Sequence, residues 1–240
     1  YTENAAEKLT IPTYDGSGEA VHPDVYDAGQ GKTWNGYRYW MAFSPYPGGN
    51  GTYENPSIVV SNDGTTWIVP DGLTNPIDTP DLNRTNSDPD LIMVDNTLWC
   101  VYRVFSGLGD DIYARSSSDG VHWSPRTQIV GSSFTGCISP SVVYNNGRYE
   151  MYSVNGTTTP RQVERRTATA ITGPWSAAEV VTFAMPSGTN PWHINVTVDG
   201  CTLYAVITVT IETGGYINYF ALSTDGGATW QVSTVRLLRS

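Results

Sequence analysis

Residues Ser57 to Trp67 read SIVVSNDGTTW, a β-rich run that ends in Ser-x-Asp-Gly and then an aromatic. The pattern returns as IYARSSSDGVHW, ending at Trp123, and as YFALSTDGGATW, ending at Trp230, with a degenerate copy, ERRTATAITGPW, ending at Trp175. The four tryptophans lie 56, 52 and 55 residues apart. A period of about 54 residues is the length of one four-stranded propeller blade, slightly more than a WD40 repeat. The expected fold is therefore all-β, a β-propeller of four-stranded blades with almost no helix.

Each part of the repeat has a physical job. Ser and Asp side chains can bond backbone amides within a turn, Gly supplies a positive φ, and Trp packs the turn against a neighbouring blade. Ser223, Asp225, Gly227, Thr229 and Trp230 fit S-x-D-x-G-x-T-W, which resembles the Asp-box of sialidases; Ser61 to Trp67 and Ser117 to Trp123 look like shorter relatives of it. These residues read as hairpin staples, not as site residues.

A chain of 240 residues with one repeat period reads as a single domain, residues 1–240. Its eight Trp and fifteen Tyr suit both packing between blades and stacking on sugars. With 13 basic against 23 acidic residues the net charge is −10, and no basic run occurs. That balance counts against nucleic acid or an anionic membrane as a partner. No apolar run is long enough to insert in a membrane, and no signal-peptide pattern is present. A chain opening on Tyr1 is expected to be a processed product, a domain of a longer polypeptide or an incomplete sequence. Cys100, Cys137 and Cys201 lack metal spacing and read as small buried thiols.

Residues 1–20 hold one β-capable run, Lys8 to Thr13, a candidate ring-closing strand. The blades then divide as Val21 to Asp27, Arg38 to Ser44, Pro56 to Ser61 and Thr66 to Pro70; as strands near Leu91 to Asp95, Thr97 to Val104, Ile112 to Ser117 and Val121 to Ile129; as Ile138 to Tyr144, Arg148 to Val154, Gln162 to Ala170 and a strand near Val180; and as Ile194 to Val198, Leu203 to Ile211, Tyr216 to Ser223 and Trp230 to Leu237. Between the first two blades, Asp71 to Ser87 reads as a long loop of the kind that carries function. Four blades are legible: either the ring has four, or it has five and one is missing, shared or unrecognisable.

Strand polarity sorts the polar residues. In an up-and-down blade the start of the first strand, the end of the second and the start of the third share one face, opposite the Ser-x-Asp-Gly turns. First strands line the channel and open as His22-Pro23-Asp24, Ser87-Asp88-Pro89-Asp90, Ile138-Ser139-Pro140-Ser141 and Asn190-Pro191-Trp192-His193. Asp24, Asp88, Asp90, Glu54 and Arg103 are thereby gathered at one mouth with His22 and His193, and Trp40, Tyr53 and Trp192 are the aromatic candidates for sugar stacking. Paired carboxylates with separated pKa values are what glycoside hydrolysis needs. Asp24 and Asp90 would equally serve as caps on strand ends.

Over HPDVYD, YENPSIVVSNDGTTW, NPI, SDPDLIM and LWCVYR the chain resembles the five-bladed propellers of family 43 and related glycoside hydrolases, and still more the propeller domains of phage and prophage tail proteins. The resemblance implies Asp24 as base and Asp90 or Asp88 as the residue that tunes it. The family's third-blade acid has no counterpart, since Ser139-Pro140-Ser141 stands there, and Glu54 is the replacement on the same rim. His193 resembles a fourth-blade His that sometimes lies near calcium; an unmetallated His is expected, with no cofactor required and a channel calcium allowed by the resemblance.

Three functions follow. The first is a carbohydrate-binding propeller that grips a bacterial surface glycan, extracellular or virion-associated and joined to other domains of a tail or secreted protein. The second is a glycoside hydrolase with Asp24 as base and Glu54 as acid. The third is a structural propeller.

Overall fold

The computed structural model describes residues 8–79, 84–105, 109–131 and 136–239. Apart from two short 3-10 turns, Pro47–Gly49 and Gly51–Tyr53, its regular structure is strand. The strands form four successive antiparallel meanders. The first is β1 (Ala20–Asp27), β2 (Tyr39–Pro45) and β3 (Ser57–Ser61); the second is β4 (Thr85–Val94), β5 (Thr97–Phe105), β6 (Asp110–Ser117) and β7 (Thr127–Val130). The third is β8 (Cys137–Asn145), β9 (Arg148–Asn155), β10 (Gln162–Ala168) and β11 (Glu179–Phe183), and the fourth is β12 (Thr189–Asp199), β13 (Thr202–Ile211), β14 (Tyr216–Ser223) and β15 (Thr229–Arg239). A short parallel pairing of Thr182 and Phe183 with Thr229 and Trp230 joins the outer strands of the last two. The chain is an all-β propeller.

The Ser-x-Asp-Gly turns close as their chemistry requires. In the first, the Ser61 hydroxyl accepts from Gly64 N at 2.9 Å, Asp63 accepts from Thr65 N and Thr66 N at 2.8 and 2.7 Å, and Trp67 Nε1 donates to Gly64 O at 3.3 Å. Ser117, Asp119 and Trp123 repeat these bonds, and Ser223, Asp225 and Trp230 repeat their outline. The tryptophans of the later repeats then enter the apolar layer between their own blade and the one before. Trp123 packs where Trp40, Ile58 and Val60 meet Leu98, Cys100 and Tyr102. Trp175 packs between the second and third blades, and Trp230 between the third and fourth.

Trp67 lies on the first blade's other face, with Met41, Phe43 and Val59, and the cover there is Ile11. The expected strand at Lys8 to Thr13 is not formed. One apolar side chain, Ile11 at 7% exposure, plugs that face instead, so the segment is anchored by packing and not by a ladder. The expected strand Thr66 to Pro70 is reduced to one bridge, Val60 to Ile68. Its amides at Thr65 and Thr66 are taken by Asp63, and Pro70 has no N–H to extend it. Further along the β3 edge the side chain of Asn75 serves both the N–H and the C=O of Ile58, each at 2.8 Å, while Ile77 N donates to Pro56 O. The described part of the long loop is thus sheet edging, and its expected last residues, Thr85 to Ser87, already belong to β4.

The feature that positions the site is a bulge in the channel-lining strands. Register slips between Val21 and Asp24, Ser87 and Asp90, and Ile138 and Ser141. At each slip a non-glycine residue takes a left-handed backbone, His22 at φ 52°, Asp88 at 55° and Ser139 at 56°, and proline follows it. A bulge re-aims side chains, and left-handed positions of this kind cluster at functional sites.

Candidate functional site

Two rings of side chains stack along the channel. The inner ring is Asp24, Asp90, Ser141 and Asn195, and each member reaches the strand beside it. Asp24 accepts from Leu91 N at 2.7 Å, Asp90 accepts from Val142 N at 2.8 Å, and Ser141 Oγ accepts from Val196 N at 3.0 Å. Asn195 Nδ2 returns to Asp24 at 2.7 Å. These bonds stitch the inner strands together, the role of strand-end caps. Burial raises the pKa of Asp24; burial and then the charge of Asp24 raise that of Asp90.

The outer ring is His22, Asp88, Ser139 and His193. Ser139 is engaged structurally: its N–H donates to Asp88 at 3.0 Å, and its hydroxyl accepts from Ile194 N and donates to Ile194 O. His22, Asp88 and His193 converge instead, each offering one ligand atom within 4.8 Å of the others. The two imidazole rings lie 4.3 Å apart. His22 Nδ1 is 3.0 Å and His193 Nδ1 is 3.9 Å from Asp88 Oδ1, yet neither nitrogen is aligned in a hydrogen bond, and both are buried. Two buried imidazole nitrogens that face an almost fully buried carboxylate without an aligned hydrogen bond form a donor set that suits a divalent cation.

Electrostatics sets the protonation of this group. Burial lowers the His22 pKa, but the charge and hydrogen-bonding reach of Asp88, with Glu54, outweigh it and leave the value raised. His193, also buried and next to His22, Arg103 and Arg161, falls to about 4 in spite of Asp88. Asp88 stays ionised: burial opposes it, but His22, His193 and Arg103 hold its pKa below the usual carboxylate range. Glu54 is raised to about 7, first by burial, with His22 and Arg103 lowering it and Asp88 raising it.

The mouth above these residues is a cavity of about 860 Å³ whose walls include His22, Tyr46, Glu54, Asp88, Arg103, Trp192, His193 and Tyr216. That volume is in the range of small-molecule sites. Arg103 is fixed by Asp110 at 2.6 Å and stands 3.9 Å from Asp88. Trp192 carries the Arg161 guanidinium over its ring at 4.4 Å and meets His193 edge-on at 5.3 Å.

The structure brings His22, Asp88, His193, Glu54, Arg103 and Trp192 together, and places Asp24 and Asp90 beneath them in the inner ring. Tyr53 is exposed on the turn before Glu54. Trp40 is the exception: at 1% exposure it is locked in the core by a bond from Nε1 to Trp34 O and edge-on contacts with Trp34 and Tyr37, so it cannot meet a ligand. Asn195, Tyr46 and Tyr216 were not among the expected site residues. The fourth copy of the ring motif is His193-Ile194-Asn195, not the stretch around Pro191. Its signal was the 54-residue step from Ser139 to His193, which matches the repeat period better than the proline does.

No family model matches the chain. A curated relative, the A type blood N-acetyl-alpha-D-galactosamine deacetylase of Flavonifractor plautii, is 39% identical over 115 residues, which is 44% of this chain and 14% of that protein. The chain thus spans about a seventh of the length of the curated relative it matches. Among solved structures, an N-acetylgalactosamine deacetylase from F. plautii in complex with blood group B trisaccharide superposes with a TM-score of 0.83 at 24% identity, covering 92% of this chain and 71% of that one. The fold is that of the carbohydrate-active propellers. An endo-arabinase from Bacteroides thetaiotaomicron (TM-score 0.67, 15% identity, 97% and 85% coverage) and a family 117 glycoside hydrolase from Zobellia galactanivorans (0.62, 16%, 92% and 70%) share it. The relatives act on carbohydrates, and no helix among the described residues is long and apolar enough to cross a membrane.

Proposed function

We propose that the mouth removes the acetyl group from an N-acetylated amino sugar in a glycan, by hydrolysis assisted by a divalent cation. The observation that carries this reading is the convergence of His22, Asp88 and His193 in one wall of the cavity that also holds Glu54. Two imidazoles and one carboxylate suit a transition metal better than calcium, which prefers oxygen donors. The deacetylases among the relatives support the choice of reaction. The two serines where the hydrolase pattern has its acid, both spent on bonds to β12, count against glycosidic cleavage.

A cation held by His22, Asp88 and His193 would polarise the acetyl carbonyl and the attacking water. Glu54, with its pKa near 7, is poised to carry the proton. It takes one from the water as the water oxygen bonds to the acetyl carbon, and gives it to the nitrogen as the C–N bond breaks. The products are acetate and the free amino sugar. Trp192 and Tyr216 supply aromatic surface for a sugar ring. Arg103, anchored by Asp110, keeps positive charge beside Asp88 and Glu54.

The test is acetate release from N-acetylhexosamine-containing glycans, run beside reducing-end release, with Zn²⁺ or Mn²⁺ and after chelation. Acetate formed only with metal is expected. Reducing ends without acetate would restore the glycosidase, and binding with neither product would leave a glycan-binding propeller.

A further inference from the structure

Glu54 sits on a segment poorly built to hold a catalytic group. Tyr46 to Pro56 reads YPGGNGTYENP, with three glycines, and neither of its 3-10 turns has a buried residue. Glycine loses more conformational freedom on ordering than other residues, so such a loop needs fixing from outside. From the propeller it receives the bond from Asn86 N to Glu54 O at 3.1 Å and a longer one from Asn86 Nδ2 to Asn55 Oδ1 at 3.4 Å, and its last residues are tied by Ser57 Oγ to Asn55 O at 3.2 Å and Ile77 N to Pro56 O at 2.8 Å.

The remaining anchors come from the segment before β1. Glu19 accepts from Gly48 N through its carboxylate at 2.6 Å and from Tyr46 N through its carbonyl at 2.9 Å. Tyr14 does more. Its hydroxyl donates to Tyr53 O at 2.8 Å and accepts from Asn55 Nδ2 at 2.9 Å, gripping the residues on both sides of Glu54 with one atom. The segment is itself held by Ile11 in the core of the first blade and by a turn in which Thr13 Oγ1 accepts from Gly18 N.

We propose that Tyr14, from outside the propeller's sheets, is the positioning residue for Glu54, holding its carboxyl at the working distance from the His22, Asp88 and His193 cluster. The catalytic half of this proposal rests on Glu54 as the proton carrier. A phenylalanine at position 14 keeps the ring and removes only the bridging oxygen. Tyr14 is 37% exposed, so the change removes little packing.

The experiment compares wild type, Tyr14→Phe, Glu54→Gln and the double variant by hydrogen exchange and by steady-state kinetics. Tyr14→Phe is expected to speed amide exchange within residues 47–55 and to lower kcat about tenfold with KM within about twofold, because a misplaced group costs rate more than binding. In the Glu54→Gln background the same change should cost nothing further, as two residues acting through one group do not add. Exchange at wild-type rates in Tyr14→Phe would overturn the clamp. An equal loss of kcat with and without Glu54 would overturn its action through that residue. If wild type releases no acetate, the reaction assigned above fails together with the catalytic half of the proposal, while exchange still decides the clamp.

Discussion

Substituting Gly120 by Ala, compared with the same change at Gly64, separates two costs in one turn type. Both glycines follow the Asp of a Ser-x-Asp-Gly turn, with φ of 78° and 76°. A side chain at either site bears the left-handed backbone penalty, roughly 1–2 kcal/mol. What surrounds them differs. A Cβ on Gly64 would meet nothing nearer than Tyr39 Cε2 at 3.7 Å, an ordinary contact, whereas a Cβ on Gly120 would stand 2.1 Å from both Cη2 and Cζ3 of Trp40. Trp40 has no room to retreat, being 1% exposed, hydrogen-bonded to Trp34 O and packed 4.8 Å from the Trp34 ring. Overpacking of this kind adds about 1–3 kcal/mol. For a domain of this size 1 kcal/mol is worth roughly 2–4 °C, so Gly120→Ala should melt about 2–12 °C below Gly64→Ala. Differential scanning calorimetry of the two variants measures the gap. Equal melting temperatures would mean that Trp40 does not seal the first interface as described.

His193→Ala should weaken Zn²⁺ or Mn²⁺ binding by about a hundredfold or more by calorimetric titration, since it removes a ligand outright, while Ser139→Ala should leave the affinity within about tenfold. Trp192→Ala should raise KM for the glycan with little change in melting temperature, and Trp40→Phe should do the reverse. Asp90→Asn tests the inner ring through pH. The folded pKa of Asp90 is raised, so above the unfolded value, near 3.8, the unfolded chain releases a proton that the folded chain keeps, and stability is lost as pH rises toward the folded pKa. Asparagine can still accept from Val142 N, and it removes this penalty. Its melting temperature relative to wild type should therefore climb between pH 4 and pH 8, and a constant difference would contradict a raised pKa.

Much of this architecture could be read from local chemistry. The turns repeat in phase because their bonds lie within a few residues; β14 matches its expected span because alternating burial marks it, and β9, buried almost throughout, matches because Asn146-Gly147 and Asn155-Gly156 bound it. Strand polarity alone brought Glu54 and His193 to one mouth. What was not legible depends on distant partners. The fourth ring motif lacks the proline that marks the other three, so Asn195 was found only through its bond to Asp24. Trp40 lies on a channel-ward strand, but its side chain faces the neighbouring blade, a matter of register that composition does not record. Asp24 and Asp90 have the right residue types for catalysis, but their oxygens are taken by amides of the next strand, which become visible only once the strands are assembled. Nothing local in the sequence links Tyr14 to residue 54.

The bulged positions before Pro23, Pro89 and Pro140 have a consequence for how such a site can change. The backbone there is set by proline and by strand register, and the side chains at these places, imidazole, carboxylate and hydroxyl, leave it nearly the same, with φ between 52° and 56°. The scaffold therefore offers interchangeable sockets aimed at one point, whose contents can be exchanged without rebuilding the frame. Histidine and aspartate fill the first two, and the serine in the third contributes no donor to the cluster. Position 139 is the place where a new ligand or acid could be installed by a single substitution, and the chemistry of this mouth can drift while the propeller stays as it is.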